Sequence, residues 1–310
     1  MIRVLFSARP DLWDEYRDPL RDAFAAAGLS VDLARDHAPA DVDYIVFAPN
    51  GPVSDFTPYV NTKLVMGLWA GVETIVGNTT LTQPLARMVD PALTQGMVEW
   101  VVGHTMRHHL GMDLHIAGQD GVWRNSTYPP LAKDRPVTIL GLGALGEACG
   151  KALSQLGFPV TGWSRSAKEI SGIRCLSGDD GLTMALRDAQ IIVLLLPLTP
   201  QTENTLNADR LALLAPGAFI VNPGRGPLID DDALLAALGT GQIGGATLDV
   251  FRQEPLPVDH PFWTHPHVLV TPHIASTTRP VSASQVVADN IRRVQAGEPA
   301  LNIVDRAAGY

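Results

Sequence analysis

The sequence predicts an α/β protein built on parallel β-sheets, and three observations carry that prediction. Short apolar runs alternate with longer amphipathic stretches along most of the chain, which is the pattern of βα units. A glycine-rich hexapeptide, Gly141-Leu142-Gly143-Ala144-Leu145-Gly146, directly follows one of those runs. Finally, 310 residues, 46% hydrophobic and 18% charged, suffice for about two domains with real cores and exclude disorder, collagen and coiled coil.

Ile2–Phe6 reads as a buried first strand. Trp13, Tyr16, Leu20, Phe24 and Ala27 then fall at helical spacing, and Gly28 closes that helix. Leu29–Ala34, Tyr44–Phe47 and Lys63–Leu68 follow as strands, so roughly the first ninety residues make a small α/β domain. Thr94 to His109 lacks proline and is predicted to be one long helix leading out of it. Asp120–Tyr128 is loop-like, and Pro129-Pro130 precedes Val137–Leu140, a clean buried strand. Further βα units then place strands at Val160–Trp163, Ile191–Leu196, Ala218–Asn222, Ala246–Val250 and Val268–Thr271. Val281 to Gln295 is helical again, with Gly297 just beyond it.

The formal net charge is −9, and no dense Lys/Arg run is present, which argues against nucleic acid as a partner. Cys149 and Cys175 are too few for a disulfide framework or a four-cysteine metal site. The apolar start of the chain turns polar at Ser7, too soon for a signal-peptide core. The most apolar run, Ile191 to Leu196, ends at Pro197, far short of the ~20 residues of a membrane span. A cytoplasmic protein without a membrane segment is expected.

The glycine hexapeptide has the context that gives GxGxxG meaning: a strand before it and a helix after it. Leu145, Ala148, Ala152 and Leu156 are predicted to form the buried face of that helix, closed by Gly157. Gly141 permits the tight turn, Gly143 lets a pyrophosphate approach the backbone, and Gly146 allows helix and strand to pack closely. The helix N-terminus supplies unpaired N–H groups and a positive dipole end to phosphates. A dinucleotide-binding, doubly wound Rossmann-type domain follows. The second strand ends in Ser164-Arg165-Ser166-Ala167-Lys168, with no acid until Glu169. A carboxylate there would repel a 2′-phosphate, whereas a guanidinium, hydroxyls and an ammonium bind one. NADP(H) is the preferred cofactor on this reading, with NAD(H) possible.

Three polar segments lie at strand ends or turns: Asn222-Pro223-Gly224-Arg225-Gly226, Asp249 to Pro257, and Thr271-Pro272-His273-Ile274-Ala275. The C-terminal ends of parallel strands border the ligand crevice, so Arg225, Glu254 and His273 could converge there. The trio suits carbonyl reduction. His273 would give a proton to the carbonyl oxygen, Glu254 would favour the imidazolium, and Arg225 would hold a carboxylate bidentately. Asp249 either shapes the cofactor pocket or satisfies backbone donors at its strand end.

The order of these motifs resembles the D-isomer-specific 2-hydroxyacid dehydrogenases over essentially the whole chain. The C-terminal Val304-Asp305-Arg306-Ala307-Ala308-Gly309-Tyr310, with Trp163-Ser164-Arg165, is similar to the glyoxylate/hydroxypyruvate reductase A branch. The resemblance implies a flavodoxin-like substrate domain from residues 1–96 and a C-terminal helix within 281–310. Inserted between them is an NAD(P)-binding domain over 97–280 that includes the connecting helix. It implies a homodimer through the cofactor domains and a reductase of small 2-oxo acids, converting glyoxylate to glycolate and hydroxypyruvate to D-glycerate. It carries Arg225, Glu254 and His273 over as catalytic residues, and Trp69, Ala70 and Gly71, with Arg225 and His273, as the substrate site. To the cofactor site it assigns Gly141, Gly143, Leu145, Gly146, Ser164, Arg165, Ser166, Lys168, Leu196, Pro197, Thr202, Pro223, Gly224, Asp249, His273 and Ala275.

Several positions depart from the family pattern. Trp69 replaces a glycine, Glu73 an aspartate, Pro223-Gly224 a small apolar pair, and Ala167 a second arginine. Trp69 could narrow the pocket or pack outward. His104, His108, His109 and His115 lack HExxH spacing and supporting acids, so no metal is expected and these histidines are placed on the surface or dimer face of the connecting helix. Trp100, Val101, Thr105 and His108 suit an interface or a core equally well. His260, His265 and His267 fall in a Pro-rich loop. A D-3-phosphoglycerate dehydrogenase would need a basic cluster in the first domain, which is not evident. Formate dehydrogenase would leave the Glu254/His273 pair without a carbonyl to protonate. A dinucleotide-sensing corepressor-like binding protein shares the fold but carries disordered tails that this chain lacks.

Overall fold

A computed structural model describes residues 1–126 and 128–309. Thr127, within the expected loop, and Tyr310, the last residue of the C-terminal motif, lie outside the described residues. The first half of the chain forms β1 (Ile2–Ser7), α1 (Pro10–Ala26), β2 (Val31–Ala34), β3 (Tyr44–Phe47), β4 (Leu64–Gly67), β5 (Leu85–Ala86), α2 (Pro91–His109), α3 (Met112–Ala117), β6 (Val137–Leu140) and α4 (Ala144–Gln155). The remainder forms β7 (Val160–Ser164), β8 (Arg174–Ser177), α5 (Gly178–Leu186), β9 (Ile191–Leu194), α6 (Ala208–Leu211), β10 (Ala218–Asn222), α7 (Asp231–Thr240), β11 (Ile243–Leu248), β12 (Val268–Val270) and α8 (Pro280–Gln295). The chain divides into two compact units, residues 1–93 with 277–309, and residues 94–276. These crossings fall three or four residues before the expected 96/97 and 280/281, because α2 belongs to the second unit almost from its first turn.

The first unit is a five-stranded parallel sheet in the order β2-β1-β3-β4-β5, the flavodoxin-like order. Side chains alternate across the pleat, so Val4 and Phe6 meet Leu20 and Phe24 of α1 and Val287 and Ile291 of α8. Leu5, Ile45 and Phe47 face the other way, onto Phe56, Leu81 and Val304. The two-residue β5 is too short to show in a hydropathy pattern. Its pairing is completed by the C-terminal segment, where Val304 N donates to Leu85 O at 2.8 Å and the Arg306 guanidinium binds the carbonyls of Leu81 and Gln83.

The second unit is a seven-stranded parallel sheet in the order β12-β11-β10-β9-β6-β7-β8. Strand order reverses beside β6, and at such a switch point the C-terminal strand ends open a crevice for a ligand. Strands β6 and β10 form at the residues predicted, and β9 ends two residues early. The edge strand β8 is too exposed to announce itself as an apolar run.

Two expectations are corrected here. Helix α4 buries Gly146, Cys149, Gly150 and Leu153, a face one residue round from the predicted one, and Leu156 is exposed. The cause is close approach: a Cβ on Gly150 would lie 2.5 Å from Ile173 Cδ1, and one on Gly146 only 1.8 Å from the Gly141 carbonyl oxygen. Apolar spacing weighs large side chains and overlooks a face made by glycine.

The histidines of α2 are also not all at the surface. His108 is 4% and His109 6% exposed; His108 Nε2 lies 3.0 Å from Thr247 Oγ1, and its ring stacks on Phe219. Val101 and Thr105 are wholly buried beside them, so this row belongs to the core of the second unit, while His115 is exposed. Burial lowers the affinity of His108 for a proton, bringing its pKa from 6.5 to about 4. Between those values the unfolded chain binds more protons than the folded one, so stability falls as pH drops from about 6.5 to 4. The window corresponds to about 3 kcal/mol. His108→Gln, which cannot ionise, should flatten this acid limb in urea unfolding curves recorded across that range; an unchanged limb would place the acid sensitivity elsewhere.

Candidate active site

The glycine turn between β6 and α4 is drawn against its neighbours by backbone contacts. Gly141 has φ +108°, its N–H donates to Trp163 O at 2.8 Å, and a Cβ there would lie 2.5 Å from Leu195 O. Gly143 differs: a Cβ at this position would meet nothing within 4 Å. Packing therefore explains Gly141 and Gly146 but not Gly143. The space in front of Gly143, with the uncapped first turn of α4 beyond it, fits a pyrophosphate.

The segment after β7 folds back over this turn. Lys168 Nζ donates to Leu142 O at 2.5 Å, and Trp163 Nε1 donates to Gly178 O at 2.8 Å. Ser164 is buried, and its hydroxyl donates to Ser166 O at 2.8 Å, so it shapes the loop. Arg165 and Ser166 are exposed. Beyond β9, Leu196 is buried, and Thr202 Oγ1 donates to Pro197 O at 2.7 Å while accepting from Thr199 N at 2.8 Å.

Asn222, at the end of β10, is buried and shapes the turn that presents Arg225. Its Nδ2 donates to Arg225 O at 3.0 Å, and its Oδ1 accepts from Gly224 N at 3.1 Å. Pro223 and Gly224 are buried beneath, and Arg225 Nη1 donates to Gly224 O at 2.6 Å. A Cβ on Gly226 would lie 2.0 Å from the Phe251 carbonyl carbon, so glycine lets this turn rest on the backbone that leads to Glu254. The sequence names Asn222 within a polar strand-end segment without giving it a role; the signal for that role is the affinity of asparagine for turns at strand ends.

Asp249 is wholly buried, and its observed contacts go to the segment that follows β12. Its Oδ1 accepts from Thr271 Oγ1 at 2.5 Å and Ile274 N at 2.9 Å, and its Oδ2 from Ala275 N at 2.8 Å. Its backbone carbonyl accepts from His273 N at 2.8 Å. These four donors hold His273 at φ +54°, a left-handed conformation that side chains other than glycine rarely adopt. The imidazole is half exposed, and its Nδ1 lies 2.7 Å from Glu254 Oε2. Glu254 is itself held, its Oε1 accepting from Phe251 N at 2.9 Å, and the Glu254–Pro255 peptide is cis. With Nδ1 engaged, Nε2 is the nitrogen that can exchange a proton with a ligand. His260 instead caps a 3-10 turn, its Nδ1 accepting from Phe262 N at 3.3 Å.

Trp69, Ala70 and Gly71 belong to the first unit, in the loop after β4. Leu68 and Val72 are buried at either end of that loop, Ala70 and Gly71 are half-buried, and the Trp69 side chain is exposed.

Residues 101–275 match the family model described as D-isomer specific 2-hydroxyacid dehydrogenase, NAD binding domain. The glyoxylate/hydroxypyruvate reductase A of Serratia proteamaculans is 39% identical over 257 residues, covering 80% of this chain and 82% of that protein. The D-isomer specific 2-hydroxyacid dehydrogenase of Xanthobacter autotrophicus Py2, solved in complex with NADPH and MES, superposes with a TM-score of 0.92 at 40% identity, covering 100% of this chain and 99% of that one. The NADPH-dependent glyoxylate/hydroxypyruvate reductase of Sinorhizobium meliloti, solved with NADP and sulfate, gives a TM-score of 0.87 at 32% identity, with both chains covered at 100%. The chain belongs to the D-isomer specific 2-hydroxyacid dehydrogenase family.

Proposed function

We propose that this protein reduces small 2-oxo acids, glyoxylate to glycolate and hydroxypyruvate to D-glycerate, with NADPH preferred and NADH accepted less well. The observation that carries the reading is the 2.7 Å pair of His273 Nδ1 and Glu254 Oε2, in the same unit as a glycine turn fit for pyrophosphate. The names of the relatives at 39% and 32% identity agree with it. When bound, the reduced nicotinamide supplies a hydride to C2 of the acid. His273 delivers the proton to the carbonyl oxygen from Nε2, so a 2-oxo acid gains one hydride and one proton and becomes a 2-hydroxy acid. Glu254 holds Nδ1–H and stabilises the imidazolium before transfer. The Arg225 guanidinium pairs with the carboxylate and polarises the carbonyl. The family resemblance also assigns the amides of Ala70 and Gly71 to the substrate carboxylate.

Preference for NADPH rests on the loop after β7, where Arg165 and Ser166 are exposed and no carboxylate occurs before Glu169. Relatives solved with NADPH or NADP at 40% and 32% identity agree. Initial rates with NADPH and NADH against glyoxylate, hydroxypyruvate, pyruvate and phenylpyruvate test the whole reading. Arg165→Asp should move the NADPH/NADH ratio of kcat/KM towards NADH by at least about tenfold, the scale of losing a charge-assisted contact. An unchanged ratio would remove Arg165 from the phosphate site.

We also infer a homodimer. From Met112 to Leu131 the second unit exposes Leu114, Ile116, Trp123, Tyr128 and Leu131, apolar side chains that a partner surface would cover. Light scattering should give twice the chain mass for the wild type and the single mass for Leu114→Asp/Trp123→Asp; a monomeric wild type would refute it. Both cysteines are unpaired, which fits the reducing cytoplasm proposed for it. Among the described residues, no helix is long and apolar enough to cross a membrane.

A further inference from the structure

The chain passes between its two units twice, at 93/94 and at 276/277, and in the first unit both flanks of those crossings bond to the loop that follows β4. Thr278 Oγ1 donates to Leu68 O at 2.9 Å, and Met88 N donates to Trp69 O at 3.1 Å. The flanks are also tied to each other. Asp90, wholly buried, accepts from Ala92 N and Leu93 N at 3.1 Å each and from Arg279 N at 3.3 Å.

These bonds set the direction of two amides. In a trans peptide the C=O and the following N–H point in opposite directions. With Leu68 O turned to Thr278, the N–H of Trp69 points away from it. With Trp69 O turned to Met88, the N–H of Ala70 points away in its turn. Leu68 N donates to Phe47 O at 2.8 Å, so the start of the loop is pinned to β3 as well. Residues 68–70 form a bend, and successive N–H groups at a turn can line a concavity for an anion. The holding residues lie outside the loop, and Thr278 reaches it through its side chain.

We propose that Thr278 is a positioning residue for the substrate carboxylate, acting through the Leu68 carbonyl to fix the Leu68–Trp69 peptide and with it the entry of the loop that carries the amides of residues 69–71. The proposal rests on the assignment of that loop to the carboxylate in the reaction described above. Without the hydroxyl, the Leu68–Trp69 peptide loses the partner that fixes its plane, and the donors lose their aim while the hydride and proton donors stay where they were.

The test compares wild type, Thr278→Val, which keeps the shape and removes the donor, and Thr278→Ser, which restores it. KM and kcat are measured with glyoxylate and NADPH. The Kd of oxamate, a non-reducible carboxylate analogue, is measured by calorimetry on NADPH-saturated protein, and the Kd of NADPH by fluorescence. For T278V the glyoxylate KM and the oxamate Kd should rise about tenfold, the value of one hydrogen bond, with kcat, NADPH Kd and Tm essentially unchanged. T278S should return both within about twofold of wild type. An active wild type with a normal T278V overturns the positioning role and leaves the reductase reading intact. A T278V that loses kcat, NADPH affinity and Tm together overturns it as well, in favour of general structural damage. A wild type that neither reduces any 2-oxo acid nor binds oxamate overturns the reductase reading, and this proposal with it.

Discussion

Replacing His273 with asparagine should lower kcat for glyoxylate reduction at least about 100-fold, the scale of general acid catalysis, with the Kd of NADPH close to wild type. Asparagine is chosen for a structural reason. His273 sits at φ +54°, where asparagine is tolerated far better than alanine, so the loop held by Asp249 keeps its course and only the acid is lost. Glu254 would then face an amide, keeping a hydrogen-bond partner while the relay to Nε2 is gone. Initial rates at saturating NADPH and glyoxylate make the measurement. Near-normal turnover would take His273 out of the mechanism and reduce its pairing with Glu254 to a structural contact.

The second large effect separates two glycines of one motif. Gly146→Ala would put a methyl 1.8 Å from the Gly141 carbonyl oxygen, a backbone atom in a turn that is itself packed on Leu195. The helix must move off its strand, and overpacking of this kind costs about 3 kcal/mol or more. A Tm several degrees lower is expected, together with lost cofactor binding. Gly143→Ala would meet no protein atom within 4 Å, and its φ of −71° suits alanine. Its Tm should stay near wild type while NADPH affinity falls at least about tenfold, because the methyl stands where the phosphates approach. Thermal melts and NADPH titrations on the two variants read the difference. A G143A protein that binds NADPH normally would show that the phosphates lie elsewhere.

Much of this protein was legible as linear pattern. Parallel strands buried on both faces are short continuous apolar runs, so Tyr44–Phe47, Val137–Leu140 and Ala218–Asn222 announce themselves. The GxGxxG turn and the polar strand ends at Arg225, Glu254 and His273 are likewise local features, since a tight turn or a strand terminus is decided within a few residues.

What the pattern could not carry is everything set by distant partners. The buried face of α4 depends on Gly146 and Gly150 meeting the Gly141 carbonyl and Ile173, contacts without hydrophobic bulk to count. His108 reads in the sequence as surface, interface or core, and the choice falls to the core only because β10 and β11 bring Phe219 and Thr247 to its ring. Asp249, ambiguous in the chain, acquires its role from four donors over twenty residues downstream that hold His273 in its left-handed turn. Thr278, in no motif at all, meets Leu68 across 210 positions. Residue type and spacing record which groups can do chemistry. Their aim is set by hydrogen bonds and close contacts between segments far apart in sequence, and those exist only once the chain has folded.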